Sequence, residues 1–106
     1  MSPAHTVSLR GAGRVQLPAY GLADAEHQVE KELAALWPGC RVEVLEIARG
    51  QGSGRIVEEF AVRFGLRGQL SVEAEDAARA APAAMRLLRG RLVGTRYERI
   101  VLEPVG

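Results

Sequence analysis

The stretch Glu58-Glu59-Phe60-Ala61-Val62-Arg63-Phe64-Gly65-Leu66-Arg67-Gly68-Gln69-Leu70-Ser71-Val72-Glu73-Ala74 alternates without a break. Its even positions carry Phe60, Val62, Phe64, Leu66, Leu70 and Val72, while its odd positions carry Arg63, Arg67, Gln69, Ser71 and Glu73. Successive side chains of a strand point to opposite faces, so this period of two predicts a strand with one face buried and the other in water. Gly65 and Gly68 mark a bend in one long strand or the tip of a hairpin. Parity that survives both glycines favours the bend, because a hairpin loop would not require it.

The same pattern precedes it. From Val7 to Leu17 the odd positions read Val7, Leu9, Gly11, Gly13, Val15, Leu17, and the even positions read Ser8, Arg10, Ala12, Arg14, Gln16. A shift of 53 residues lays Arg10 on Arg63, Arg14 on Arg67, Gln16 on Gln69 and Leu17 on Leu70. Between the two stretches, Ala25, Val29, Leu33 and Leu36 recur at helical spacing, which predicts a helix over Ala23 to Trp37, stopped by Pro38-Gly39. A second helix is expected from about Asp76 to Arg89, with the stripe Ala77, Ala81, Met85, Leu88, a proline inside it at Pro82, and Gly90 as its end. Arg41 to Arg49 reads as a strand whose parity breaks near Val44, the signature of a β-bulge. The last strand is expected over Arg96 to Glu103, with Ile100 and Leu102 in the core.

Each half then reads strand, helix, strand. Two such units give an α+β fold of ferredoxin-like βαββαβ type, a four-stranded antiparallel sheet with two helices on one face and the two long strands at its centre. The rival layout, ββαβ twice, makes hairpin turns of the glycines. A length of 106 residues suits a single domain over 1–106.

Composition narrows the chemistry. The net charge is +1, from 14 basic and 13 acidic residues, so the whole-molecule field steers a polyanion weakly. Lys31 is the one basic residue that is not arginine. Cys40 is the only cysteine, which excludes an intrachain disulfide and a thiolate-rich metal site. No signal-peptide pattern or membrane-length apolar run is present, so the expected location is the cytoplasm, with no membrane partner. His5 and His27 show no metal-ligand spacing, and no base is placed beside Cys40 to activate it. No cofactor, metal or catalytic residue is therefore expected, which argues against an enzyme. The segment containing Gly50, Gly52, Ser53 and Gly54 lacks the Lys-Ser/Thr ending of a phosphate loop and precedes a strand, so it reads as a flexible connection.

One surface stands out. If the Val7 face packs under the helices, Arg10, Arg14, Arg63 and Arg67 gather on the opposite face, in a patch about 10 Å across at ordinary strand spacings. Glu58, Glu59 and Glu73 at strand ends, with Glu43 or Glu98 on edge strands, are the acids expected to neutralise it if it is only a solvated face. The reading preferred here is a protein interface, for a second copy or another partner. Nucleic-acid binding is the alternative, joined by a second basic cluster, Arg86, Arg89, Arg91, Arg96 and Arg99. That alternative lacks outward aromatics for base stacking, since Phe60 and Phe64 have core parity. A small-ligand regulatory module is the third reading, by analogy of fold alone. No motif identifies a particular family.

Overall fold

The computed structural model describes residues 2–50 and 57–105. Of the expected flexible connection, Gly52, Ser53 and Gly54 lie outside the described residues; Gly50 is exposed, and its N–H donates to the Glu59 carbonyl at 2.7 Å. The chain order is β1 (Ala4–Ala19), α1 (Leu22–Leu36), β2 (Arg41–Arg49), β3 (Glu58–Glu73), α2 (Ala77–Leu92) and β4 (Val101–Pro104). The four strands form one antiparallel sheet in the order β2-β3-β1-β4.

β1 and β3 pair along their whole length, from Ala4 opposite Glu73 to Ala19 opposite Glu58. Neither reverses at its glycines, so the hairpin layout is excluded and each stretch is one continuous ribbon strand. Sixteen residues at strand rise span about 54 Å, which accounts for the 58 Å long axis of the molecule. Ala12 pairs with Gly65, its own counterpart at the 53-residue shift. The two long strands are thus related by a local two-fold axis through the Ala12–Gly65 pair. β2 shifts register between Val44 and Glu46, the bulge its parity requires.

The inward parity builds the core. Val7, Leu9, Val15 and Leu17 on β1, with Phe60, Val62, Phe64, Leu66, Leu70 and Val72 on β3, are buried against Ala25, Val29 and Leu33 of α1 and Ala80, Ala84, Leu88 and Leu92 of α2. The helices approach each other from opposite ends of the ribbon. α1 starts beside the Ala19 end, where Gln28 donates to the Pro18 carbonyl at 3.2 Å, and α2 starts just beyond Ala74. Their carboxyl ends meet near the middle, where Arg91 Nη1 donates to the Leu36 carbonyl at 3.5 Å.

Asp76 caps α2 by accepting the Arg79 N–H at 2.9 Å. Two boundaries differ from expectation. α2 passes through Gly90 and ends at Leu92, because the residue able to turn the chain left-handed is Gly94, at φ 80°. β4 begins at Val101 rather than Arg96, because Thr95 ties the preceding segment into turns. Its hydroxyl donates to the Leu92 carbonyl at 2.7 Å and accepts the Tyr97 N–H at 3.1 Å. Those turns seat Tyr97 in the core, edge-on to Phe64 with ring centroids 5.8 Å apart. No helix among the described residues is long and apolar enough to cross a membrane.

Candidate interface on the open sheet face

Arg10, Arg14, Arg63 and Arg67 are all exposed and share the sheet face that the helices leave open. They stand in two cross-strand pairs, Arg10 opposite Arg67 and Arg14 opposite Arg63. The pairs are four residues apart along each strand, about 13 Å, so the patch is longer and narrower than the sequence spacing suggested. Like charges placed directly opposite each other in a sheet disfavour folding, by some tenths of a kcal/mol to about 1. Nothing in the core requires these arginines, since their side chains point away from it.

Neutralisation is partial, and it comes from acids other than those expected. Arg10 Nε meets Glu103 Oε1 at 2.6 Å, and Arg63 Nη2 meets Glu46 Oε2 at 3.7 Å. Both acids lie on edge strands, opposite their arginines in the pairing register. Glu58 pairs instead with Arg49 at 3.8 Å, and Glu98 falls in the turn before β4. Arg14 and Arg67, which the internal repeat relates, have no ion pair among the described residues.

A further arginine, unremarked in the sequence, joins them. Arg41 begins β2 directly opposite Arg67 and is exposed. Three guanidinium groups therefore stand in one row across neighbouring strands, Arg41, Arg67 and Arg10, with strands about 4.8 Å apart. The parity of Val42 and Val44 was the available signal, because it turns Arg41 to the same side as Arg67. Two shallow grooves share Arg41 and Arg67. One, about 500 Å³, is lined by Arg10, Glu43 and Gly65; the other, about 620 Å³, by Ser8, Gly39 and Gln69.

Between the rows the floor is small and apolar. Ala12 and Gly65 form it, flanked by Val101 opposite Ala12 on β4 and by the exposed Glu43 opposite Gly65 on β2, with Leu45 at the bulge beside Arg63. Val101 is 68% exposed and Leu45 47% exposed, so apolar surface flanks the floor between the two arginine rows, with the Glu43 carboxylate beside it on β2.

The second basic cluster does not extend this patch. Arg86, Arg89 and Arg91 project from α2, on the covered side of the sheet. Arg89 and Arg91 donate to backbone carbonyls of Glu98 and Leu36 at 3.3 and 3.5 Å, while Arg96 reaches Glu32 at 3.2 Å and the Gln16 carbonyl at 3.4 Å. Arg99 is exposed in the turn before β4.

The residues weighed for chemistry lie apart. The Cys40 backbone lies against Gly68, and Cys40 Sγ donates to the Leu33 carbonyl at 3.6 Å; burial pushes its thiol up from the ordinary value of 9.0. The His5 ring bonds the Ala74 carbonyl at 3.1 Å, six residues further along the ribbon, or about 20 Å. No cluster of metal-ligating side chains occurs among the described residues. In comparisons with known proteins, no family model matches the chain, and neither a curated protein nor a solved structure matches it.

Proposed function

We propose that the chain is a non-enzymatic binding domain whose open sheet face engages a protein. The observation that carries this is the outward face itself. Two like-charged arginine pairs, only half neutralised, bracket a floor of Ala12 and Gly65 flanked by the exposed apolar side chains Val101 and Leu45 and by one acid, Glu43. An exposed apolar centre with a polar, charged rim is the composition of a protein interface. The chain order βαββαβ, with β1 and β3 central, supports reading the fold as a ferredoxin-like variant in which the helices run end to end.

Charge complementarity favours a different protein over a second copy. A two-fold stack centred on Ala12 and Gly65, with its axis along or across the strands, would set four arginines against four arginines. Nucleic acid fits less well. Phe60, Phe64, Trp37 and Tyr97 are all buried and the exposed Tyr20 lies beyond the end of β1, so no aromatic ring stands between the arginine rows for base stacking.

The test compares immobilised wild-type chain with two variants in an extract of the cells that make it, followed by sedimentation of the purified components. One variant replaces Arg10, Arg14, Arg63 and Arg67 by Ser; the other replaces Arg86, Arg89 and Arg91 by Ser. A protein retained by the wild type and the helix variant, lost by the sheet variant, and re-forming the complex when purified supports the reading. Retention that ignores the sheet variant overturns it.

A further inference from the structure

Resting on that reading, we infer that the occupant of the open face is an extended acidic segment of the partner, laid along the ribbon, with acidic residues at its first and fifth positions and an apolar residue at its third. The geometry gives the spacing. Same-side residues of an extended chain repeat every 6.6–6.8 Å or so. A first and a fifth residue are then about 13 Å apart, which is the separation of the two arginine rows along β1 and β3.

The charges that remain free choose the diagonal. Arg10 and Arg63 are already held by Glu103 and Glu46, whereas Arg67 with Arg41 at one row and Arg14 at the other have no ion pair among the described residues. Arg67 and Arg14 lie on neighbouring strands, so the line between them is about 14 Å long and tilted about 20° to the ribbon. Extended chains packed face to face cross at angles of that order, about 30°. The segment therefore reaches both free cations without bending.

Its third residue falls over the floor between the rows. A Cβ built on Gly65 would meet only the Gly11 carbonyl oxygen, at 3.8 Å, so the space above it is open. Glu43 stands opposite Gly65 on β2, and Leu45 and Val101 flank the floor with about half or more of their surface in water. An apolar side chain set there covers them, which a phosphate or a sugar does not. Arginine forks suit carboxylates, and a carboxylate between Arg67 and Arg41 accepts from both.

The experiment is a fluorescence-anisotropy titration of the full chain with two labelled peptides of identical composition. One is Ser-Glu-Ser-Leu-Ser-Glu-Ser, with the inferred spacing, and the other is Ser-Ser-Glu-Leu-Glu-Ser-Ser. A mixed-sequence RNA oligonucleotide is titrated in parallel. The spaced peptide is expected to bind about tenfold more tightly than its isomer. Arg14→Ala and Arg67→Ala should each weaken it about fivefold, as for partly exposed ion pairs, while Arg86→Ala leaves it unchanged. Equal affinity for the isomers, no binding of either, or RNA binding that the spaced peptide fails to displace would overturn the inference. The broader reading fails separately. A partner retained through the four arginines, with neither peptide bound, removes the acidic segment and leaves the protein interface standing.

Discussion

The two faces of the ribbon use glycine in opposite ways. On the covered face a Cβ on Gly68 would lie 2.7 Å from Trp37 Cζ2, one on Gly11 2.9 Å from Leu102 Cδ2, and one on Gly13 3.1 Å from Ile100 Cγ1. These glycines are sockets for large side chains arriving from outside the central strand pair. On the open face Gly65 receives nothing and leaves a bare floor between two arginine rows. Gly65 and Gly68 stand three positions apart on β3, and the period of two sends them to opposite sides. The same residue type thus tightens packing on one face and keeps a surface free on the other.

The largest test of this contrast removes the side chain that fills the Gly68 socket. Trp37 is 1% exposed, and its indole N–H donates to the Gln69 carbonyl at 3.1 Å. Trp37→Ala is expected to cost about 4 kcal/mol, read as a lower denaturant midpoint with an unchanged slope. A loss under about 1 kcal/mol would mean that the covered face tolerates an empty socket.

Next in size is a pair of identical changes. Gly68→Ala should destabilise by about 2 kcal/mol, because its methyl meets the indole ring and the Cys40 backbone at 3.2 Å. Gly65→Ala should lie within about 0.5 kcal/mol of wild type, since the open face has room. Equal effects at the two positions would break the comparison.

Tyr97 sharpens it from the covered side. Its hydroxyl is buried without a hydrogen-bond partner among the described residues. Burial first, then the Glu32 carboxylate nearby, holds the phenol neutral far above its ordinary value of 10.0, against the opposing pull of Arg96. Tyr97→Phe keeps the ring against Phe64 and should gain about 1 kcal/mol. The pH dependence has a definite sign. A folded-state value raised above the unfolded one gives a contribution that is complete below pH 10 and is lost as pH rises beyond it. Alkaline melts of the wild type should therefore fall above pH 10, and those of Tyr97→Phe should fall less. Cys40, also shifted up, starts the same decline from pH 9.0, so the comparison is made in a Cys40→Ala background.

The smallest effect belongs to the open face. Arg67→Thr removes one member of two like-charged cross-strand pairings, with Arg10 and with Arg41, and should raise stability by about 0.5 kcal/mol. It should also weaken partner binding. A loss of stability instead would assign Arg67 to the fold rather than to the surface.

Much of this was legible along the chain. The parity of Phe60 through Val72 and of Val7 through Leu17 marked both long strands and the face each residue takes, because a strand's side-chain period does not depend on what packs against it. The broken parity at Val44 marked the bulge for the same reason. The stripe of α1 was readable, but on α2 the expected Ala77, Ala81, Met85 and Leu88 gave way to Ala80, Ala84, Leu88 and Leu92, because an alanine-rich helix carries little contrast between its faces. Gly90 looked like an end because a glycine's φ is decided by its neighbours, and here Gly94 takes the left-handed turn.

By itself, then, the alternation of apolar and charged residues determined that Arg10, Arg14, Arg63 and Arg67 share one exposed wall. Only the tertiary structure decided which of them face each other, that Arg41 joins their row, that Glu103 and Glu46 satisfy just two of them, and that the Arg86 cluster lies on the covered side. Those facts depend on strand register and on where α2 lies along the ribbon. Both are set by contacts between residues far apart in the chain, and local periodicity carries no record of them.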